Sequence, residues 1–338
     1  MPIQAPQTGF FKRLVAPILR GRKLERPREP LFPPDFLAQL ERLRFAALKA
    51  MGGGLREGHR LGAYKGGQLE FHGHRDYSPG DELRYVDWNS YARLGRPYVK
   101  EFAREESGVL HLLLDGTASM RLGNVSKFDF ARRIGALFSH VALSSQDAVH
   151  AACFKISADA EFFPKRQARA TVREFLAFFE RLQADASNAF ETQNPNVRSA
   201  AQEPSLSAWA AAFLKRAPHR GGVILISDFW QEEQDIAAGV SLLARSGFDL
   251  FAIHTLAAEE LEPPPQGEIS ARSIENGSHV PLWFGPQTAA LYRAELEKHR
   301  ASVESIFRRR GGQYLFARSD TPLEKVLLAT LRQRRWLI

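Results

Sequence analysis

Residues 109–115 read VLHLLLD and residues 223–228 read VILISD. Each is a short, nearly continuous apolar run that ends on an aspartate. A strand with one wet face alternates apolar and polar residues. A run without that alternation suits a strand buried on both faces, as in a parallel sheet covered by helices above and below. The segments around these runs agree. Residues 126–144 place Phe130, Ile134, Leu137, Phe138 and Val141 on one helical face. AVHAACF (148–154) reads as a strand, 168–182 as a helix carrying Val172, Phe175, Leu176 and Phe179, and 207–216 and 236–246 as two more helices. FDLFAIHTL (248–256) and GQYLFA (312–317) read as strands, with PPP at 263–265 breaking the chain after the first. Two short strands are expected near 268–274 and 279–284, a long helix over 287–310, and a helix after Pro322. Strands alternating with helices give the α/β class: a doubly wound, mostly parallel sheet with helices on both faces.

In such sheets ligands bind beyond the carboxyl ends of the strands, where the strand order reverses. The residues that follow the two quoted runs are therefore the ones to weigh. After VLHLLL come Asp115, Gly116, Thr117, Ala118 and Ser119, a carboxylate with hydroxyls two and four residues on. Alternate residues of an extended loop project to one side, and Gly116 and Ala118 leave room for the loop to curl. After VILIS comes Asp228. Two carboxylates brought together repel unless a cation sits between them. Hard oxygen donors without nitrogen or sulfur suit Mg²⁺, with Ca²⁺ or Mn²⁺ as alternatives. Thr117 and Ser119 are the expected direct ligands, the carboxylates bind directly or through water, and one position is left for a carboxylate of a partner protein.

These residues resemble the metal-ion-dependent adhesion site of von Willebrand factor A domains, whose pattern is Asp-x-Ser-x-Ser, a Thr from a second loop and an Asp from a third. Asp115, Thr117 and Ser119 match the first part and Asp228 the last. The resemblance implies a second-loop hydroxyl within EPSLS (203–207), with Ser205 the best match and Ser207 the second. Upstream, GGQLEFHGHRDYSPGDELRYVDWNSYAR (66–93) is similar to the signature of the bacterial family called domain of unknown function 58. Gly67, Glu70, Phe71, Arg75, Tyr77, Pro79, Gly80, Asp81, Arg84, Asp87, Trp88, Ala92 and Arg93 carry it. That resemblance implies a von Willebrand A-like domain, a non-enzymatic protein-binding role, and a partnership with a MoxR-type AAA+ ATPase as adaptor or assembly factor, with a client protein besides. Within the signature Arg75, Asp81, Arg84, Asp87 and Arg93 alternate in sign and are read as an ion-pair network or a partner contact.

Three regions follow: a basic, Pro-containing tail (1–34), a helix and signature region (35–106), and the von Willebrand A-like domain (107–338). In the second, DFLAQLERLRFAALKAM (35–51) reads as a helix capped by Asp35 and ended by Gly52, Gly53 and Gly54, and QLEFHGH, LRYVDW and PYVKEFA read as short strands. The chain carries a net +8, concentrated at its ends: seven Lys/Arg against two Glu in residues 1–30, and eleven against five acidic residues in 293–338. Residues 9–24 combine Phe10, Phe11, Leu14, Val15, Ile18 and Leu19 with Lys12, Arg13 and Arg20, a pattern suited to a membrane surface or a partner. No run of about 18 apolar residues and no secretory h-region occurs. The single cysteine, Cys153, fits a reducing compartment, and the expected location is the cytoplasm, peripheral to the membrane if the tail docks.

Two rival readings stay open on sequence grounds. A Mg/Mn-dependent hydrolase or nuclease would use Asp115 and Asp228 and needs a general base beside them. His72 and His74, with His59, offer a candidate zinc site, but an H-x-H pair without a spaced third ligand is a weak signal, and neither a G-x-S-x-G elbow nor an H-E-x-x-H helix occurs. A nucleic-acid binder would use the cationic stretches 308–310 and 332–336 with Trp336, yet a solvated face explains them equally, so nucleic acid is not the expected partner.

Overall fold

The computed structural model describes residues 30–50, 69–104, 108–156, 160–185, 205–216, 219–262, 267–272 and 279–333. Residues 9–24, the glycine run at 52–54 and Trp336 lie outside them. In chain order the elements are α1 (Phe36–Ala50), β1 (Leu69–Asp76), α2 (Trp88–Leu94), β2 (Tyr98–Arg104), β3 (Val109–Asp115), α3 (Lys127–Ser144), β4 (Ala148–Phe154), β5 (Glu161–Arg166) and α4 (Val172–Arg181). They continue with α5 (Leu206–Leu214), β6 (Gly222–Ser227), α6 (Glu233–Arg245), β7 (Asp249–Leu256), α7 (Ala258–Leu261), β8 (Gly267–Arg272), β9 (His279–Phe284), α8 (Pro286–Arg308), β10 (Gln313–Arg318) and α9 (Leu323–Gln333).

Six strands form the central sheet in the order β10-β7-β6-β3-β4-β5. All neighbours are parallel except β4 and β5. The α/β class and doubly wound sheet expected from the apolar runs are what the chain adopts. Both faces of the sheet are covered. Leu110, Leu112 and Leu114 of β3, with Ile224 and Ile226 of β6, pack into one core with α1, α3, α4 and α9. Leu113, Val223 and Leu225 face the other way, into a core with α5, α6 and α8. This two-sided burial is why the runs show no alternation.

The order also fixes where a site can form. From the central β3 the chain winds outward through β4 and β5, then crosses back to lay β6 against the other side of β3. The strand order thus reverses between β3 and β6, and the crevice at their carboxyl ends is the expected ligand position. Leu114 pairs with Ile226, so the two strands end level with each other.

Three features differ from the sequence reading. LRYVDW is not a strand: Leu83–Tyr85 is a 3₁₀ turn, and Trp88 starts α2, because Asp87 accepts hydrogen bonds from the Asn89 and Ser90 amides and caps a helix there. β5, unforeseen, is the antiparallel edge strand, a place that tolerates Pro164 because its outer side needs no amide donor. Finally, α1 is not set apart with the signature. Its Phe36, Leu40 and Leu43 are buried in the main core, and its Glu41 pairs with Arg169 at 2.5 Å. β1 and β2 form a separate antiparallel ribbon. Among the described residues no helix is long and apolar enough to cross a membrane.

Candidate functional site

Asp115 ends β3 and is almost fully buried. Its Oδ1 accepts from the Thr117 amide at 2.9 Å, the local turn expected of an aspartate two residues before a free N–H. Its Oδ2 accepts from Ser227 Oγ at 2.6 Å, across the level ends of β3 and β6. The turn is tight. A Cβ on Gly116 would lie 2.7 Å from Cys153 Sγ and 3.0 Å from the Phe154 carbonyl oxygen. Gly116 also donates its amide to Phe154 and accepts from the Asp185 amide at 2.7 Å, which pins the loop to β4. Thr117 and Ser119 follow, both buried, with their hydroxyl oxygens 3.1 Å apart.

The loop after β6 supplies the other side. Asp228 is buried, and the next residue, Phe229, takes a left-handed φ of 51°. A bulky residue there costs about 1–3 kcal/mol and persists only where its surroundings hold it. Here the Phe229 amide donates to Ser227 Oγ at 2.9 Å, and its ring packs edge-on against His254 and Phe307. The reversal keeps both Asp228 and Gln231 beside Asp115. Gln231 Nε2 lies 3.4 Å from Asp115 Oδ2. Burial, followed by the charge of Asp228, pushes the Asp115 carboxyl up to about 6.

A buried lysine pairs with Asp228. Lys127, the first residue of α3, donates from Nζ to Asp228 Oδ2 at 2.7 Å and to Glu260 Oε1 at 2.8 Å. Burial works against its charge, but Asp228 and Glu260 outweigh burial and hold the ammonium above its ordinary value. Burial raises the Glu260 carboxyl in turn. Glu260 Oε2 accepts the Ala257 amide at 2.7 Å, and the Glu260 carbonyl accepts from the Tyr292 hydroxyl at 2.6 Å.

The structure therefore brings together Asp115, Thr117, Ser119 and Asp228. It does not add Ser205 to them. Ser205 caps α5, and its Oγ donates to Asp235 Oδ1 at 2.9 Å; Ser207 Oγ donates to the same oxygen at 2.5 Å. Asp235, in the first turn of α6, draws both second-loop hydroxyls away. The sequence reading missed Lys127, Glu260 and Gln231. Lys127 opens a helix of ordinary amphipathic pattern, and Glu260 lies over thirty residues beyond Asp228, so neither spacing nor motif marks them.

The donor chemistry suits a hard cation. Among the described residues no three His, Cys, Asp or Glu side chains converge on one point, so an ion here would rest on two carboxylates and on neutral oxygens. Asp115, Asp228 and Glu260 are all buried, and Lys127 pairs with the last two; with all three carboxyls ionised the group carries an excess of two negative charges. A divalent ion would cancel that excess, with Thr117 and Ser119 as neutral ligands.

The signature region is separate in character. Arg75 and Asp81 form a two-pronged pair at 2.7 and 2.6 Å, and the Arg75 hydrogen bond, with the Ser78 amide, holds the Asp81 carboxyl down at about 2. Gly80, at φ 108°, makes the turn between them. Tyr77 donates its amide to Pro97. His74 bonds Asp87 Oδ2 at 2.7 Å and is the main reason that carboxyl is depressed. Arg84 pairs with Glu82 instead, and Arg93 donates to the Asn89 carbonyl at 3.4 Å. Among the described residues the alternating charges form separate pairs: Arg75 with Asp81, Arg84 with Glu82, and Asp87 with His74 from β1. The side chain of Glu70 lies outside the described residues. Leu83, Trp88, Tyr91 and Leu94 are exposed, Trp88 by 59% and Leu94 by 64%.

Comparison with known proteins gives a family and a set of distant folds. The family model described as "Protein of unknown function DUF58" matches residues 73–302. The chain is 24% identical over 297 residues to the uncharacterized protein Rv1480 of Mycobacterium tuberculosis, covering 85% of this chain and 86% of that one. The uncharacterized protein Mb1516 of Mycobacterium bovis matches to the same extent. Among solved structures, the conserved hypothetical protein BatB of Bacteroides thetaiotaomicron aligns with a TM-score of 0.39 at 13% identity, over 67% of this chain and 98% of that chain. The SpRpn10 VWA domain aligns with a TM-score of 0.36 at 8% identity, over 67% of this chain and 95% of that chain.

Proposed function

This chain belongs to the family described as Protein of unknown function DUF58, and on that premise we propose that it is a non-enzymatic, metal-dependent protein-binding module that serves a MoxR-type AAA+ ATPase as adaptor or assembly partner. One observation supports the metal part of the reading: Asp115 and Asp228 are both buried at the level ends of β3 and β6, where Asp115 accepts a hydrogen bond from Ser227, the neighbour of Asp228, and Lys127 pairs with Asp228 and Glu260 but not with Asp115. Mg²⁺ is the proposed ion, with Ca²⁺ or Mn²⁺ as substitutes of the same hard-oxygen chemistry. When bound, it supplies an electrophilic point that can accept one carboxylate oxygen from another protein. Asp115 and Asp228 hold charge against it, Thr117 and Ser119 offer neutral oxygens, and Lys127 keeps Asp228 oriented. The ATPase partner rests on the family resemblance of residues 66–93, and a client protein is the proposed third member of the assembly. The exposed Trp88, Tyr91 and Leu94 give the signature a surface apolar enough to meet a partner. The proposed location is the cytoplasm, with peripheral membrane contact through residues 9–24.

Co-purification from native extract tests this reading: wild type against Asp115→Ala, each with and without EDTA. An AAA+ protein that accompanies the wild type, and is lost on EDTA treatment or in the variant, supports it. A partner retained equally in all four samples overturns the metal dependence.

A further inference from the structure

The adhesion-site pattern asks for a neutral oxygen from a second loop, and among the described residues the two candidates, Ser205 and Ser207, both donate to Asp235. Another neutral oxygen already lies at the site. Gln231 is only 4% exposed, and its amide nitrogen sits 3.4 Å from Asp115 Oδ2. The oxygen of the same amide, Oε1, is buried and has no hydrogen-bond partner among the described residues. A buried carbonyl oxygen without a donor is uncommon, and it calls for a ligand or an ordered group to explain it. The amide is held in place by the left-handed turn at Phe229, which lets one short loop present the Asp228 carboxylate and, three residues on, the Gln231 amide.

Resting on the metal reading proposed above, we infer that Gln231 supplies its side-chain oxygen as a ligand to the divalent cation, in the role that the second-loop hydroxyl fills in the adhesion-site pattern. An amide carbonyl is a hard, neutral oxygen donor of the kind Mg²⁺ and Ca²⁺ accept. It completes the set without adding charge, so the balance of three carboxylates against Lys127 and a divalent ion is kept. The β3 loop gives Asp115, Thr117 and Ser119, and the β6 loop gives Asp228 and Gln231. Ser205 is left as a helix cap.

Calorimetric titration of Mg²⁺ into the full chain, stripped with EDTA and dialysed, tests the inference, with the thermal midpoint of the metal-free protein as a second reading. Five proteins are compared: wild type, Gln231→Ala, Gln231→Met, Ser205→Ala and Thr117→Ala. Gln231→Met keeps the side-chain length and removes the oxygen, so it decides the matter if Gln231→Ala does not fold. The expected result is a loss of tenfold or more in Mg²⁺ affinity for both Gln231 variants, with Ser205→Ala unchanged. The metal-free midpoint of Gln231→Met should stay level or rise, since an orphaned polar group is gone. Wild-type affinity in Gln231→Met, alongside a loss in Thr117→Ala, overturns the role of Gln231 while the metal site stands. A wild type that takes up no Mg²⁺ at millimolar concentration overturns the metal reading, and the Gln231 inference with it.

Discussion

The ammonium of Lys127 lies 2.7 Å from Asp228 and 2.8 Å from Glu260, with all three side chains withdrawn from solvent. Lys127 joins the start of α3 to the loop after β6 and to α7, which follows β7. Removing one partner of a buried ion pair costs about 3–5 kcal/mol, because the remaining charge is left unpaired in a low-dielectric interior. Lys127→Met should lower the unfolding free energy by that order in urea denaturation. Lys127→Met combined with Glu260→Gln should lose less than Lys127→Met alone, since one stranded carboxylate is neutralised. Equal losses would mean that Glu260 contributes nothing to the pairing.

The Asp115 carboxyl has a definite pH signature. Its folded value, about 6, lies above the ordinary aspartate range, so the native state binds a proton that the unfolded chain releases at lower pH. The stability gained from that proton is fully present below about pH 4 and is lost as pH rises through about 6. In EDTA, the unfolding free energy should therefore fall between pH 4 and 6 by on the order of 3 kcal/mol from this group. Asp115→Asn should flatten that part of the profile. Chemical denaturation at half-unit pH steps checks it, and an identical slope in the variant would rule Asp115 out as its source.

Gly116 has no space for a side chain. A methyl group would meet Cys153 Sγ at 2.7 Å and the Phe154 carbonyl at 3.0 Å, and the second contact is backbone that cannot swing aside. Gly116→Ala should cost about 1–3 kcal/mol, the usual penalty for overpacking a dense interior. It should also move the Asp115–Ser119 loop away from β4. Pairing it with Cys153→Ala separates the two contacts. If the double variant regains full stability, the thiol alone was in the way.

How much of this was legible beforehand depended on range. The central strands announced themselves because two-sided burial writes a local, unbroken apolar run, as in VLHLLL and VILIS. Asp115, Thr117 and Ser119 were legible for the same reason, since their spacing lies within one loop, and Asp228 because it ends a run of the same kind. Ser205 was assigned by its position in the chain, and what decided its place was Asp235, thirty residues on, which no local pattern ties to it. Lys127 and Glu260 stayed hidden because an ion pair between elements 133 residues apart leaves no periodic trace. The strand expected at LRYVDW failed on a capping interaction: Asp87 offers its carboxylate to two amides, and that local bond outweighs the β-propensity of Tyr85, Val86 and Trp88.

The exposed edge of α2 is a surface on which a partner and the fold can be told apart. Trp88 and Tyr91 meet edge-to-face at 6.1 Å and are exposed, as is Leu94, one further turn along. Trp88 and Leu94 keep more than half of their surface exposed, so truncating them removes only the smaller part of each from the interior and should cost the fold about 1 kcal/mol each. A partner that docks there would feel the loss strongly, since large aromatic side chains carry an outsized share of binding energy at interface centres. The double substitution Trp88→Ala and Leu94→Ala should leave the thermal midpoint within a few degrees of wild type while reducing recovery of the AAA+ protein in co-purification at least tenfold. Mg²⁺ uptake should be unchanged, because the site beside β3 and β6 shares no residue with α2. Undiminished recovery would place the ATPase contact elsewhere on the molecule, whereas a parallel fall in the midpoint would mean that α2 is needed for the fold itself.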